Sequence, residues 1–113
     1  MHLPNARHAI VDDAKVRDYL LSDEHPIGRS KAAFFRSLGY RAENWWRLRA
    51  DIRALAESGT AEPGTLSFYG AKFLVSGMIR GPNGRSASVY TAWIVRRGEH
   101  MPRLITAWPG GNA

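Results

Sequence analysis

The spacing of apolar residues changes once along the chain, from a helical period to a strand period. Apolar residues recur every three or four positions up to about residue 57, and they alternate with polar residues from about residue 66 to residue 109. Because these periods are typical of amphipathic helices and half-buried strands, the sequence predicts helices followed by strands. We therefore expect one α+β domain over residues 1–113, with a helical half at about 12–57 and a β half at about 66–109.

About three helices are predicted in the first half. Asp12 or Asp13 caps a helix that ends near Leu21. Ser30 is the predicted N-cap of a second helix, and Gly39 fits its C-terminal stop. A third helix runs from about 42 to 57. The second helix carries a stripe in the i, i+3, i+4, i+7 spacing, formed by Lys31, Phe34, Phe35 and Leu38.

The second half predicts an antiparallel sheet of three to four strands with the helices packed on one face. One strand begins after Gly70, and "GPNG" at 81–84 holds an Asn-Gly pair typical of a tight hairpin. The return strand covers 86–96, and a third strand covers 103–108. We expect a fourth strand at 6–11, before the first helix.

The chain is basic, with a formal net charge of +6, and 13 of its 16 cationic side chains are arginine. Excess positive charge favours an anionic partner such as nucleic acid, an acidic protein or a membrane surface. A GC-rich genome would explain the preference for arginine over lysine, but it would not explain the net charge.

Several kinds of site are disfavoured by the sequence. The chain has no cysteine, and its four histidines lack metal-ligand spacing. "GPNGR" lacks the GxxxxGK[ST] pattern of a phosphate loop, and no GxSxG elbow is present. Because no stretch has the length of a membrane span or the pattern of a signal peptide, we expect a cytoplasmic protein that needs no cofactor and no membrane.

Metal-free cleavage of RNA requires only side-chain types that this chain contains. A base removes the 2′-hydroxyl proton, an acid protonates the leaving 5′-oxygen, and cations stabilise the charged phosphorane. Histidine suits the proton roles because it changes charge near neutral pH, and arginine or lysine suits the phosphate role. The side chains of these types are His25, Lys31, Lys72, Arg80, Arg85, Tyr90, Thr91, Arg103 and Thr106.

Structural explanations compete with each of these functional ones. His25, which precedes Pro26, fits a loop cap as well as a site. Lys31 lies on an apolar stripe, where a lysine must extend to solvent, pair with another group or face a cleft. Trp93 is better explained as core than as a base-stacking platform. Thr106 also fits an ordinary strand position, and Trp108 fits the edge of the core as well as it fits a stacked base.

Four motifs carry a resemblance to a known family: LPNA, EHPxGxSKAxFFxxLGY, GPxGR and PRLxTA. Together they cover about residues 3–109. The chain resembles an uncharacterised bacterial domain family that occurs as small stand-alone proteins and as the C-terminal tips of polymorphic toxins. Stand-alone members often lie beside a small partner gene, which implies a toxin–antitoxin or toxin–immunity pair.

The layout also resembles, more loosely, the barnase–EndoU–colicin–RelE class of RNase toxins. That resemblance implies catalytic side chains from both halves: His25 and Lys31 from the helices, and Arg103 and Thr106 from the last strand. His25 would be the general base or acid, Lys31 and Arg103 would clamp phosphate, and Thr106 would position it. The residues expected to bind RNA are Arg29, Lys72, Arg80, Arg85, Tyr90 and Trp108.

Two functions from different classes follow. The first is a metal-independent ribonuclease toxin that acts on RNA, such as tRNA or mRNA, and is held inactive by a small, acidic antitoxin or immunity protein. The second is a non-catalytic basic module that binds RNA or an acidic partner protein. A structural domain of a phage or secretion assembly is a weaker third possibility.

Overall fold

Three helices precede a four-stranded antiparallel sheet, which confirms the predicted α+β fold class. The computed structural model describes residues 1–25 and 29–110. Short 3₁₀ turns at Ala6–His8 and Ala42–Asn44 accompany the helices. The helices are α1 (Asp13–Lys15), which continues into a π-helical segment at Val16–Leu20, α2 (Arg29–Ser37) and α3 (Trp45–Ser58). The strands are β1 (Thr60–Ser67), β2 (Gly70–Arg80), β3 (Ser86–Arg96) and β4 (Arg103–Pro109).

The strands lie in chain order, β1-β2-β3-β4, and each pairs antiparallel with the next. The helices cover one face of this sheet. Leu48, Ile52 and Leu55 of α3 are buried in one cluster with strand side chains that include Val75 and Trp93. Because Trp93 is fully buried, its explanation as a core residue is confirmed.

The opposite face of the sheet, which we call the open face, holds no fully buried strand side chain. Directly opposed residues of neighbouring strands share a face, so the register assigns its members. On β2 and β3 they include Lys72, Leu74, Ser76, Met78, Arg80, Tyr90, Ala92 and Ile94, and on β4 they are Arg103, Thr106 and Trp108.

A β-bulge decides which residues of β4 reach the open face. Thr106 is paired with Ala92, whereas Leu104 is paired with Trp93, so Ile105 is an extra residue on β4. In a regular strand, residues three apart point to opposite faces. The bulge restores Arg103 and Thr106 to the same face, because an inserted residue shifts the alternation by one.

The end of α2 is fixed by local and distant hydrogen bonds. The Gly39 amide donates to Arg36 and the Tyr40 amide donates to Phe35, which is the Schellman pattern expected at a glycine stop. The Asn83 amide donates to the Leu38 carbonyl at 3.2 Å, and its side chain donates to the Ser37 carbonyl at 3.0 Å. The predicted hairpin loop therefore caps a helix as well as joining two strands.

Two predictions about the secondary structure are wrong. The expected strand at 6–11 is a 3₁₀ turn followed by one isolated bridge from Ile10 to Arg103, because only that residue reaches the β4 edge. The fourth strand is β1, which pairs through its backbone although it contains Pro63. Ser30 is in the first turn of α2, not at its cap, because the helix begins at Arg29.

Candidate functional site

Tyr19 links the helical half to the last strand. Its hydroxyl lies 3.2 Å from the Thr106 hydroxyl, and the two residues are 87 positions apart in the sequence. Tyr19 belongs to the π-helical segment Val16–Leu20, where the Leu21 amide donates to the Val16 carbonyl five residues earlier. π-helical turns are rare, and they occur often at functional sites. This contact brings the helical layer to the edge of the open face.

Two lysines approach the same tyrosine. The Lys31 Nζ lies 5.5 Å from the Tyr19 ring centroid, and the Lys15 Nζ lies 5.1 Å from it. Lys15 reaches the ring because it stands four residues before Tyr19, which places both on one side of a helical turn. The positive charge of Lys31 also acts on the Tyr19 phenol. Lys31 therefore approaches an aromatic ring beside the apolar stripe of α2.

These contacts change the acidity of Tyr19. Partial burial raises the pKa of the phenol, but the contact with the Thr106 hydroxyl and the nearby ammonium groups of Lys31 and Lys15 together outweigh burial. The pKa of Tyr19 is therefore below its usual 10.0. Ammonium groups have this effect because they stabilise the phenolate more than the neutral phenol.

His25 completes a group that we call the Tyr19 cluster: Lys15, Tyr19, His25, Lys31 and Thr106. The His25 ring meets the Tyr19 ring edge-on, with 4.8 Å between centroids and an interplanar angle of 87°. Its backbone amide donates to Ser22 Oγ at 3.2 Å, which holds the turn after the π-helical segment. The half-buried imidazole is thus positioned by a local turn and by an aromatic contact.

Three of the four residues predicted to act in catalysis contact Tyr19, and the fourth does not. His25, Lys31 and Thr106 all belong to the cluster. Arg103 shares the open face with Thr106, but its Nε lies 3.2 Å from the Glu99 carboxylate in an ion pair. The charge of Arg103 is therefore partly neutralised by Glu99, whereas the prediction required an arginine available to bind phosphate.

The residues predicted to bind RNA are spread over the open face and the hairpin. Tyr90 and Trp108 form a stacked pair, with 5.7 Å between centroids and an interplanar angle of 17°. Lys72 and Arg80 are exposed on β2, and Arg85 is exposed in the hairpin loop. Pro26 and the Arg29 side chain lie outside the described residues. Thr91, counted in the sequence among the side chains of types suited to RNA cleavage, is fully buried and does not reach the surface.

The two lysines of the cluster differ from several arginines of the chain. Five arginines form ion pairs: Arg17, Arg36, Arg47, Arg49 and Arg103. Within residues 1–25 and 29–110, neither Lys15 nor Lys31 takes part in an ion pair with a carboxylate. The cluster therefore presents two ammonium groups beside one tyrosine ring, without an ion pair to a described carboxylate, which favours an anionic ligand.

Sequence reasoning missed Lys15 and Tyr19. Tyr19 lies on the side of the first helix that packs against the core, where an aromatic residue gives no sign of a site. The available signal was the lysine four residues before it, combined with a polar hydroxyl on an otherwise apolar side. The contact to Thr106 gives no local signal, because it depends on how the last strand meets the helices.

Two other features are absent from the described part of the chain. No group of three or more histidine, aspartate or glutamate side chains there is arranged to hold a metal ion. No helix among the described residues has the length and apolar character needed to cross a membrane.

The chain shares its fold with a chain of a solved structure. A chain of a structure described as "Contact-dependent growth inhibition toxin - immunity protein complex from Klebsiella pneumoniae 342" superposes with a TM-score of 0.70. The two chains are 16% identical, and the match covers 95% of this chain and 97% of that chain. At this identity the similarity establishes a shared fold. No curated protein matches the chain.

The sequence also defines the family. The chain belongs to the family described as Domain of unknown function (DUF6883), which matches residues 2–111. This membership agrees with the expected resemblance to a domain family of unknown function. The assignment to a ribonuclease class stays a prediction.

Proposed function

We propose that this chain is the toxin of a toxin–immunity pair and that it acts as a metal-independent ribonuclease, with the Tyr19 cluster as its active site. The observation that carries the proposal is the convergence of a histidine, two lysines and a threonine on one tyrosine of lowered pKa. A titratable group with a perturbed pKa, surrounded by other polar and charged side chains, is typical of an active site. The shared fold with a chain of a toxin–immunity complex supports a role as one member of such a pair.

The chemistry needs a base, an acid and a cationic clamp. His25 takes the proton of the RNA 2′-hydroxyl, whose oxygen then attacks the adjacent phosphorus. The bond from phosphorus to the 5′-oxygen breaks, and Tyr19 gives its proton to that leaving oxygen. The products are a 2′,3′-cyclic phosphate and a free 5′-hydroxyl. A lowered phenol pKa improves Tyr19 as an acid, because proton transfer becomes easier as the pKa approaches the working pH.

Lys31 and Lys15 would stabilise the negative charge that builds on the phosphate oxygens. Thr106 would hold the Tyr19 hydroxyl in position through the contact at 3.2 Å. Arg103, released from Glu99 by a competing phosphate, would add a second contact on the same face. This assignment keeps the predicted roles of His25 and Lys31 and adds Tyr19 as the acid.

The open face offers a path for the RNA strand. Trp108 follows Thr106 by two residues on β4, which is a separation of roughly 7 Å along a strand. The stacked Tyr90–Trp108 pair would therefore receive a base next to the scissile phosphate. Lys72 and Arg80 would contact phosphates farther along β2, and Arg85 would extend the same charge into the hairpin loop.

The direct test is incubation of the purified protein with tRNA and with total RNA in the presence of EDTA. We expect cleavage that leaves 2′,3′-cyclic phosphate ends. His25→Ala and Tyr19→Phe should each slow cleavage by about 100-fold or more, the usual range for loss of a proton-transfer group. Arg7→Ala removes an exposed arginine near the N-terminus and serves as the matched control that keeps activity.

Circular dichroism of each variant confirms that the fold is retained. Intact RNA with every substrate and pH would refute the ribonuclease. Cleavage at the wild-type rate by both His25→Ala and Tyr19→Phe would refute the Tyr19 cluster as the active site, although the proposal of a ribonuclease would stand. Products with linear 3′-phosphates formed without a cyclic intermediate would refute the mechanism.

The second candidate is a module that binds RNA or an acidic partner without chemistry. The open face favours it, because a basic surface with a stacked aromatic pair binds single strands without needing an acid or a base. Binding that weakens steeply with salt and leaves the RNA intact would support this function in place of the first.

A further inference from the structure

A second surface lies at the turn that joins β1 and β2. Leu66, Phe68 and Tyr69 are 81%, 73% and 76% exposed, so three large apolar side chains face solvent within four positions. Single exposed apolar residues are ordinary, but a contiguous group marks an interaction site. Phe68 and Tyr69 hold each other edge-on, with 5.8 Å between ring centroids.

Two grooves flank Phe68. One, of about 490 Å³, runs beside Leu66 and Phe68 over Ala71 and Val95. The other, of about 310 Å³, lies between Phe68, Tyr69 and Ile94. Both grooves are also lined by Arg96 and Arg97, and we call Leu66, Phe68, Tyr69, Arg96 and Arg97 the Phe68 patch. The patch therefore combines two grooves with apolar walls and two positively charged side chains at their edge.

The charge of the patch is uncompensated within the described part of the chain. The Arg97 guanidinium lies 4.2 Å from the Phe68 ring centroid, where the ring face orients it. Neither Arg96 nor Arg97 forms an ion pair with a described carboxylate. Glu99 lines the larger groove, but its carboxylate is engaged by Arg103. A partner that brings carboxylates to these two guanidinium groups would gain binding energy from charged hydrogen bonds.

We propose that the Phe68 patch is the docking surface for a partner protein that inserts an apolar side chain beside Phe68 and places carboxylates against Arg96 and Arg97. The contact is made through side chains. Strand addition along β1 is disfavoured because Pro63 lacks an amide hydrogen and the register shifts between Pro63 and Leu66. Concave grooves beside an oriented arginine suit a protein side chain better than a lipid surface.

This proposal shares a protein partner with the proposed function, but it does not depend on RNA cleavage. The patch and the Tyr19 cluster have no residue in common. Phe68→Ser should leave RNA cleavage unchanged, and Tyr19→Phe should leave partner binding unchanged. Failure of one proposal is therefore distinguishable from failure of the other.

The test uses a random peptide library displayed on phage, selected on the full-length protein and counter-selected on its Phe68→Ser variant. We expect enriched peptides to contain one aromatic or aliphatic residue flanked by aspartate or glutamate. The affinity of a synthetic copy, measured by fluorescence anisotropy, should fall by about ten-fold or more in Phe68→Ser and in Arg97→Glu. Trp46→Ser, at a tryptophan that is 59% exposed on α3, and Arg7→Glu are matched controls that keep the affinity.

Three results would overturn the proposal. If the enriched peptides lacked acidic residues, or if no enriched peptide required Phe68 for binding, the proposal of an acidic partner would be wrong. Phe68-dependent binding to phosphatidylserine vesicles, without peptide binding, would assign the patch to a membrane surface. Phe68-dependent dimerisation in sedimentation experiments, without peptide binding, would assign it to a second copy of this chain.

Discussion

Replacement of Thr91 by valine separates hydrogen bonding from hydrophobic packing in the core. Thr91 is fully buried in β3. Its hydroxyl donates to the Val75 carbonyl at 2.8 Å and accepts from the Trp93 indole at 2.7 Å. Valine has nearly the same shape, so an account based on apolar burial alone predicts a neutral or stabilising change. The hydrogen bonds predict the opposite sign.

The expected magnitude follows from the groups that lose partners. An indole N–H left buried without an acceptor costs about 1–3 kcal/mol, and the lost bond to Val75 adds about 1 kcal/mol. The added methyl group returns about 0.8 kcal/mol. We therefore expect Thr91→Val to lower the free energy of unfolding by about 2 kcal/mol. Thr91→Ser keeps the hydroxyl and should lose only about 1 kcal/mol from the missing methyl group.

The assay is urea denaturation followed by tryptophan fluorescence and by far-ultraviolet circular dichroism. A loss of about 2 kcal/mol moves the midpoint by roughly 1 M urea for a domain of this size. Thr65→Val, at an exposed threonine of β1, controls for the strand preference of valine. A Thr91→Val midpoint at or above that of wild type, or above that of Thr91→Ser, would refute the reasoning.

Two other predictions concern the hairpin loop and Tyr19. A Cβ at Gly81 would lie 2.0 Å from the Leu38 carbonyl oxygen, so Gly81→Ala should cost about 2–3 kcal/mol. A Cβ at Gly84 would make no close contact, so Gly84→Ala should cost only the strain of a φ of +87°, about 1 kcal/mol in the same urea assay. Equal costs for the two variants would contradict the steric explanation for Gly81. Because the pKa of Tyr19 is lower in the folded state than in the unfolded state, the folded state loses this proton first as pH rises. The wild type should therefore gain stability relative to Tyr19→Phe as pH rises towards 10.0, and it should lose that gain as pH falls. Urea midpoints of both proteins at neutral pH and at pH 10.0 check this, and a difference that does not change with pH would contradict it.

Elements with a clear hydrophobic period were predictable from the sequence. The predicted return strand at 86–96 coincides with β3, and the last strand differs by one residue at its end. β1 was not predictable in this way. Seven of its eight residues are exposed, so its side chains carry no alternation, and its place in the sheet comes from backbone pairing with β2. Pro63 and Gly64 also read as signals of a turn.

The candidate site was also predictable only where its residues carry a local signal. His25 and Lys31 were selected from local signals: a histidine before a proline, and a lysine on an apolar stripe. Their meeting with Tyr19 and Thr106 depends on contacts across the two halves of the chain. No period or motif encodes such contacts. The pairing of Arg103 with Glu99 was equally hidden, because it arises where the chain turns back into β4.

The extra residue at Ile105 has a consequence for reading related sequences. Alignments of this family can be checked at the three-residue spacing between the arginine and the threonine of the PRLxTA motif. A relative that lacks one residue there would carry its arginine on the helix-covered side, even if every aligned letter were identical. Insertions and deletions at this point should therefore be counted as changes of the surface chemistry, not as neutral variation in length.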